Sequence, residues 1–563
     1  MAEDFMTAAV KRVEAQFEKS GVSESCAAFE RKENQIEMRD GVKLHTIYYF
    51  PKEDTAEEKT YPVILTRTCY PGNDRIHRAY GEGLARRGYV YVYQYCRGRE
   101  NSEGKWEPNI NERKDGIDTM NYLVEQPWCE ILGYWGHSYT SMTGWAFADA
   151  AEGKVAAMFL EDYGTDRFVS AYEKGCFRHD ILTAWSMENA EKPVNADYRE
   201  SCRYLPQIEV DKALWGQRVP SYREYITSPN PDAALWQTGW WKQLREIPSK
   251  TKVPIYLLSG WYDHHHGSSI KTWERLNEET KQHSWLEIGA WNHFFQICLE
   301  GKEVMHPQNE EIPKMLEWFE LTLKQKEIPT QRIRAYEIGA DRWMDTVSDG
   351  LGEKGTAGSM TLYLDEKTLR TDTPEQEKTR NYTFDPATPV ESIGGEALLH
   401  TMPQIGSHLQ PEPDYREDVL SFVSEPLEET FTLNGKASVR LFVESDCEDT
   451  AFTAKIMEVT PEGKAYNIRS SIATLEQGKT EVGAYEPGSV AEVQITMWNI
   501  VYTIPKGSRI RVDVSSSDFP QYHVHSNQKG LWSEKTENKI AHQTIHMGGK
   551  AASCVILPLM KKQ

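Results

Sequence analysis

A chain of 563 residues is too long for one hydrophobic core, so two or three domains are expected. Lys and Arg number 64 against 85 Asp and Glu, and the formal net charge of −21 repels nucleic acid and anionic lipid, excluding polyanionic partners. No apolar run approaches the roughly 20 residues that span a bilayer, the start is charged and amphipathic without a signal-peptide core, and nine scattered cysteines form no Cys-x-x-Cys pair; a cytoplasmic protein with reduced thiols is expected.

Residues 1–31 read as an N-terminal extension in which 4–19 form one exposed amphipathic helix. Asp40-Gly41, between alternating apolar runs, then predicts a β-hairpin. Over 32–164 short β-rich runs (YPVILTRTCY, YVYVYQY, ILGYWG, KVAAMFLE) alternate with helical patterns, which implies a mostly parallel sheet covered by helices. Residues 165–250 break the rhythm with a Trp-rich helical stretch carrying Trp185, Trp215, Trp236, Trp240 and Trp241, expected to be an inserted cap. The rhythm resumes over 251–330 with VPIYLLSGWYD, HSWLEIGAWNH and the helical run EEIPKMLEWFELTLKQ. From 331 to 563 short alternating runs, beginning with IRAYEIG, follow one another without helices, the pattern of a β-sandwich or jelly roll.

Residues 133–141 read GYWGHSYTS, an apolar run, a glycine two places before Ser138, and then a helix-like stretch. In an α/β-hydrolase the nucleophile sits on a tight strand-to-helix turn, where close neighbours are small and the hydroxyl projects above the sheet. Gly136 fits that layout. Thr140 stands where the commonest motif has a second glycine, so these residues alone also suit a serine that caps a helix. A serine hydroxyl needs a histidine base oriented by a carboxylate, and on this fold the chain order is Ser, acid, His. IYLLSGWYD delivers Asp263 and WLEIGAWNH delivers His293, both at C-terminal strand ends, where open α/β sheets bind ligands. The expected triad is therefore Ser138, Asp263 and His293, with Glu161 or Asp162 as the fallback acid.

His264, His265 and His266 are adjacent, and successive residues of an extended segment point to opposite sides, so they cannot readily enclose one ion. No metal and no cofactor is expected. The histidines are read as pocket lining beside Asp263, and the substrate pocket is assigned His137, Trp261, His264 and Trp291. The Trp-rich cap is expected mainly to pack, with one or two rings lining an acyl pocket.

As an ordered set, MRDGVKL, ILTRTCYPG, CRGRENSEG, GHSYT, LLSGWYD, GAWNH and SSDFPQY resemble the cocaine esterase and X-prolyl dipeptidyl peptidase-like (CocE/NonD) family of α/β-hydrolases over nearly the whole chain. The resemblance implies an α/β-hydrolase core with an inserted helical cap, followed by an all-β jelly-roll domain. It makes Ser138 the nucleophile, His293 the base and Asp263 the acid, and it implies an oxyanion hole made by the Tyr70 hydroxyl and the backbone N–H of Tyr139. Three departures stand out. Cys69 replaces the usual proline before Tyr70, Tyr95 replaces an aspartate before the Arg-Gly loop and leaves the partner of Arg97 open, and Thr140 and Ser141 replace small residues after the nucleophile.

The leading reading is a serine hydrolase that cleaves esters or activated amides of small molecules through an acyl-enzyme. The alternative keeps the triad in a dipeptidyl or aminoacyl peptidase, or an amino-acid ester hydrolase. That enzyme needs carboxylates for the substrate ammonium, for which Glu161, Asp162 and Glu173 are available. A third reading is a carbohydrate-binding protein with a vestigial site. Expected partners are a small ester or short peptide; a homo-oligomer is allowed.

Overall fold

The fold is set by two sheets of different character. The computed structural model describes residues 2–52, 59–345, 351, 356–398, 401–402 and 404–560. The first sheet has ten strands: β1 (Ala28–Glu37), β2 (Lys43–Lys52), β3 (Tyr61–Thr68), β4 (Val90–Tyr95), β5 (Cys129–His137), β6 (Val155–Glu161), β7 (Ile255–Gly260), β8 (Trp285–Gly289), β9 (Arg332–Glu337) and β10 (Arg342–Asp345). They lie in the order β1-β2-β4-β3-β5-β6-β7-β8-β9-β10. Strands β3 to β9 are mutually parallel, while β2 and β10 run against them. Strands covered by helices on both faces must be apolar throughout, and every residue of β4 and of β7 is buried.

Helices α1 (Ala2–Lys19), α2 (Asp74–Arg86), α3 (Glu112–Val124), α4 (Tyr139–Trp145), α5 (His266–Arg275) and α6 (Glu311–Phe319) connect or cover these strands. The N-terminal helix, expected to be exposed, is instead docked along one face. Val13 and Phe17 are buried, Phe17 meets Tyr80 of α2 edge-on, and the Gln16 side-chain oxygen accepts the Ile312 N–H of α6 at 3.0 Å. Burying a side chain such as Phe17 contributes about 2 kcal/mol, enough to hold the extension on the core.

Between β6 and β7 lies the expected insertion, a chain of short helices including Arg167–Ala171, Ala184–Glu188, Tyr198–Arg203, Pro220–Ile226 and Gly239–Lys250. Its Trp215, Trp236 and Trp241 are buried in packing, as the composition suggested, and Trp185 and Trp240 are partly exposed.

The run 332–337, assigned from its alternation to the β-sandwich, belongs to the first sheet as β9, parallel to β8. An unpaired edge on β8 would leave a row of open N–H and C=O groups, and β9 with β10 closes it. Beyond it, thirteen described strands between Thr356 and Met560 are joined edge to edge in an all-β region. This region packs on core and cap: Thr503 N–H bonds Ile338 O at 2.8 Å, and the Trp532 indole N–H bonds the Tyr172 hydroxyl at 3.2 Å. None of the nine cysteines forms a disulfide. No helix among the described residues is long and apolar enough to cross a membrane.

Candidate active site

The site grows from the C-terminal ends of β5, β7 and β8. Ser138 follows β5 directly and opens α4 with φ 57° and ψ −125°, a conformation that costs a non-glycine residue about 1–3 kcal/mol and persists only where its surroundings enforce it. The enforcement is visible. The Ser138 N–H bonds Glu161 O at the end of β6 (3.0 Å), and a Cβ on Gly136 would sit 2.2 Å from the Thr140 carbonyl, so only glycine fits there. Thr140, at the place of the second glycine, is part of the restraint. Its hydroxyl accepts the His137 N–H at 2.6 Å and donates to the His137 carbonyl at 2.7 Å, stapling the turn from inside.

Strands β7 and β8 pair in parallel register with Gly260 opposite Gly289, so the loops that leave them run side by side. Trp291 locks the two loops. Its indole occupies the space a Cβ on Gly289 would need, at 1.7 Å, and its carbonyl accepts the Tyr262 N–H at 3.1 Å. The outcome is a continuous line: the Ser138 hydroxyl lies 2.9 Å from His293 Nε2, and His293 Nδ1 donates to Asp263 Oδ2 at 2.5 Å. Asp263 is fully buried, and its other oxygen accepts the His265 N–H at 2.7 Å. The His137 ring lies tilted 4.7 Å from that of His293 and donates from Nε2 to the His293 carbonyl at 2.8 Å.

Of the four residues assigned to the pocket, two take other places. Trp261 is wholly buried and donates its indole N–H to Tyr336 O at 2.7 Å, and Trp291 is wholly buried as the loop lock, so neither lines a pocket. Their apolar bulk serves the junction of strand ends, which a strand-end aromatic cannot reveal by sequence alone. His137 is partly exposed beside Ser138, and His264 lies against His293 with ring centroids 4.2 Å apart.

Tyr70 reaches the nucleophile from the loop after β3. Its hydroxyl interacts with the Ser138 side chain and accepts the Trp185 indole N–H at 3.5 Å, and burial pushes its acidity down so that it stays a proton donor. With Cys69 buried before it, the loop is held by the Tyr70 N–H to the Thr68 hydroxyl (3.1 Å). Tyr139 is the first residue of α4, so its N–H has no acceptor within the helix. The Tyr139 ring is fixed by its hydroxyl, which donates to Glu112 at 3.1 Å and accepts the Asn109 N–H at 2.8 Å. Trp185, which no motif singled out for this position, stacks on Tyr139 at 5.7 Å and brings the cap to the site. The partner left open for Arg97 is double: Asp115 at 2.7 Å and Asp40 at 2.8 Å.

The remaining acids are dispersed. Glu161 accepts the Trp135 indole N–H at 3.1 Å, and Asp162 lies 3.5 Å from His137 Nε2. Burial pushes both carboxyls well above the usual range, with the Asp263 charge adding to the effect on Asp162. Glu173 lines a separate cleft of about 890 Å³ between cap, α5 and the all-β region, and burial raises its carboxyl to about 7.

Among the described residues, two groups have the donors and spacing to hold a cation, His137 with Asp162 and His293, and Asp263 with His264 and His293. Both need His293, whose two ring nitrogens already serve Asp263 and Ser138. The rings of His264, His265 and His266 diverge: His264 meets His293, His265 Nδ1 meets the Ser170 hydroxyl at 3.1 Å, and His266 donates to Asn499 O at 3.1 Å.

Residues 40–295 match the family model described as X-Pro dipeptidyl-peptidase (S15 family), and residues 329–556 match that of the X-Pro dipeptidyl-peptidase C-terminal non-catalytic domain. The chain is 27% identical over 574 residues to the cocaine esterase of Rhodococcus sp., covering 94% of this chain and 98% of that protein. Among solved structures, an α-amino acid ester hydrolase superposes with a TM-score of 0.81 at 21% identity, covering 95% of this chain and 97% of that one. An aminopeptidase from the marine sediment archaeon Thaumarchaeota archaeon has the same TM-score and identity, covering 95% and 96%. At that identity the structural likeness is one of fold.

Proposed function

The chain belongs to the cocaine esterase and X-Pro dipeptidyl-peptidase-like family of α/β-hydrolases, and from that premise we propose that it is a serine esterase of small molecules working through an acyl-enzyme. The observation that carries the reading is the line Ser138–His293–Asp263, built on a turn whose strained serine conformation is held by Gly136 and Thr140. Ser138 Oγ attacks the ester carbonyl while His293 Nε2 takes its proton. Asp263 holds the imidazole in the tautomer that leaves Nε2 free to accept and stabilises the imidazolium. The Tyr70 hydroxyl and the Tyr139 N–H donate to the oxyanion, where charge develops. His293 then returns the proton to the departing alcohol, and water attacks the acyl-enzyme by the same route in reverse.

Tyr70→Phe is expected to lower kcat by roughly 10²–10³-fold and to leave KM within a few fold, because an oxyanion donor acts mainly in the transition state. Steady-state kinetics on an aryl ester checks this. If kcat is nearly unchanged, Tyr70 only packs under the cap and the second donor lies elsewhere.

Esters are expected to be preferred over peptides. An amine is a worse leaving group than an alcohol, so a peptidase must protonate it in place and anchor the peptide on both sides of the bond. The acids available as an ammonium clamp do not converge: Glu161 is bound to Trp135, Asp162 lies beneath His137, and Glu173 opens onto another cleft. Short-chain aryl esters should therefore give kcat/KM well above that of Gly-Pro or Ala-Pro anilides. If the anilides win, and Asp162→Asn or Glu161→Gln abolishes only that activity, the enzyme is a peptidase.

A further inference from the structure

Six arginines are buried among the described residues, and five have their charge answered by protein groups. Arg67 lies 3.5 Å from Glu112, Arg178 2.8 Å from Asp180 and Arg511 2.7 Å from Asp513, and Arg469 is paired with Glu396. Arg87 spends its guanidinium on the carbonyls of Phe17, Val22 and Gly83. Arg167 is the sixth. It is 6% exposed, no described carboxylate forms an ion pair with it, and its Nε has no acceptor. The adjacent Asp166 is already engaged by Arg275 at 2.7 Å.

What surrounds Arg167 is aromatic. The guanidinium lies over the rings of Tyr225 (5.3 Å) and Trp241 (5.7 Å), and it interacts with the hydroxyls of Tyr163 and Tyr225. A guanidinium cannot shed its proton, so this is a permanent charge taken from water without a counter-ion, an arrangement that is costly unless something else supplies the anion. Its place in the fold says where that anion comes from. Arg167 opens the first cap helix, Arg167–Ala171, just beyond the end of β6. The ring of Tyr163 lies 4.8 Å from that of His265, and His265 lies 5.9 Å from His293, so two side chains, Tyr163 and His265, stand between the charge and the triad. Its field reaches His264 and His265, reinforcing the effect of burial in keeping both neutral.

We propose that Arg167 is a specificity-determining residue that binds a carboxylate carried by the substrate, making the enzyme selective for esters with an anionic group remote from the scissile carbonyl. The inference rests on the serine esterase reading above. Captured between Tyr225, Trp241 and the tyrosine hydroxyls, such a carboxylate completes the missing ion pair in a desolvated site, where a charge-assisted bond is strong. The −21 net charge of the chain repels anions at long range, so selectivity for one has to come from a local cation.

The test compares matched esters that differ only in charge. 4-Nitrophenyl hydrogen glutarate against the 4-nitrophenyl ester of glutaramic acid places the carboxylate on the acyl side, and 4-butyryloxybenzoate against 4-butyryloxybenzamide places it on the leaving group. The wild type is expected to favour one anionic ester over its neutral partner in kcat/KM by ~30-fold or more, the scale of a desolvated charge pair. Arg167→Gln should collapse that ratio and Arg167→Lys should retain part of it. Labelling of Ser138 by a fluorophosphonate confirms that each variant is folded and competent. The inference is overturned if the wild type favours neither anionic ester, or if a labelling-competent Arg167→Gln loses both members of a pair equally, which is the signature of cation–π packing alone. Where Arg167→Gln fails to fold, Arg167→Lys carries the comparison, and wild-type ratios near one overturn the inference without any variant. A protein that cleaves no ester and takes no label refutes the serine esterase reading instead.

Discussion

Ser138→Ala is expected to lower the turnover of an aryl ester by roughly 10⁴–10⁶-fold and to abolish labelling by a fluorophosphonate, since removal of a triad nucleophile typically leaves only the contribution of binding and the oxyanion hole. The hydroxyl is the one group at the site placed both 2.9 Å from a histidine base and on a turn that projects it from the sheet. Burst kinetics with a nitrophenyl ester reads the same chemistry directly, because the burst amplitude counts acyl-enzyme and should vanish. A variant that keeps even a tenth of wild-type turnover would sink the assignment.

Asp263→Asn is expected to cost about 10³–10⁴-fold in kcat with little change in KM. The reason is specific to the wiring. Oδ1 of Asp263 accepts the His265 N–H, so in an asparagine the side-chain oxygen is drawn to that donor and the NH₂ group is turned toward His293 Nδ1. His293 must then carry its proton on Nε2, where it faces the Ser138 hydroxyl and cannot accept from it. Asp162→Asn is the matched control, since Asp162 is equally buried but bonded to neither His293 nor Ser138 by any short contact. If the large loss falls on Asp162→Asn and Asp263→Asn stays active, the acid of the triad has been misassigned.

The departures in the motifs have physical readings in the structure. Thr140 takes over by hydrogen bonding what a second glycine would achieve by lacking a side chain, because its hydroxyl closes on both backbone groups of His137. The Tyr95 hydroxyl bonds Asp74, and Arg97 turns to Asp40 and Asp115, so the aspartate absent before the Arg-Gly loop is replaced from the hairpin turn and from α3. Such exchanges are hard to read in one chain. A partner that sits 57 positions away leaves no local pattern, whereas a strand does.

What the sequence determined by itself was whatever is encoded over short stretches. Apolar runs of five to seven residues between helical patterns specified a parallel sheet. Asp40-Gly41 specified the hairpin, and the order of GHSYT, GWYD and AWNH specified which strand ends carry chemistry. The tertiary structure decided everything that depends on which surfaces meet. Alternation in 332–337 is the same whether the strand joins a sandwich or closes the edge of β8, and only the open edge of β8 selects the latter. A buried tryptophan reads alike as pocket or as packing until Gly289 is found to lack the Cβ that Trp291 displaces. An arginine in TDRF carries no mark of being unpaired. That property belongs to the carboxylates around it, and those are brought near or kept away only by the folding of residues distant along the chain.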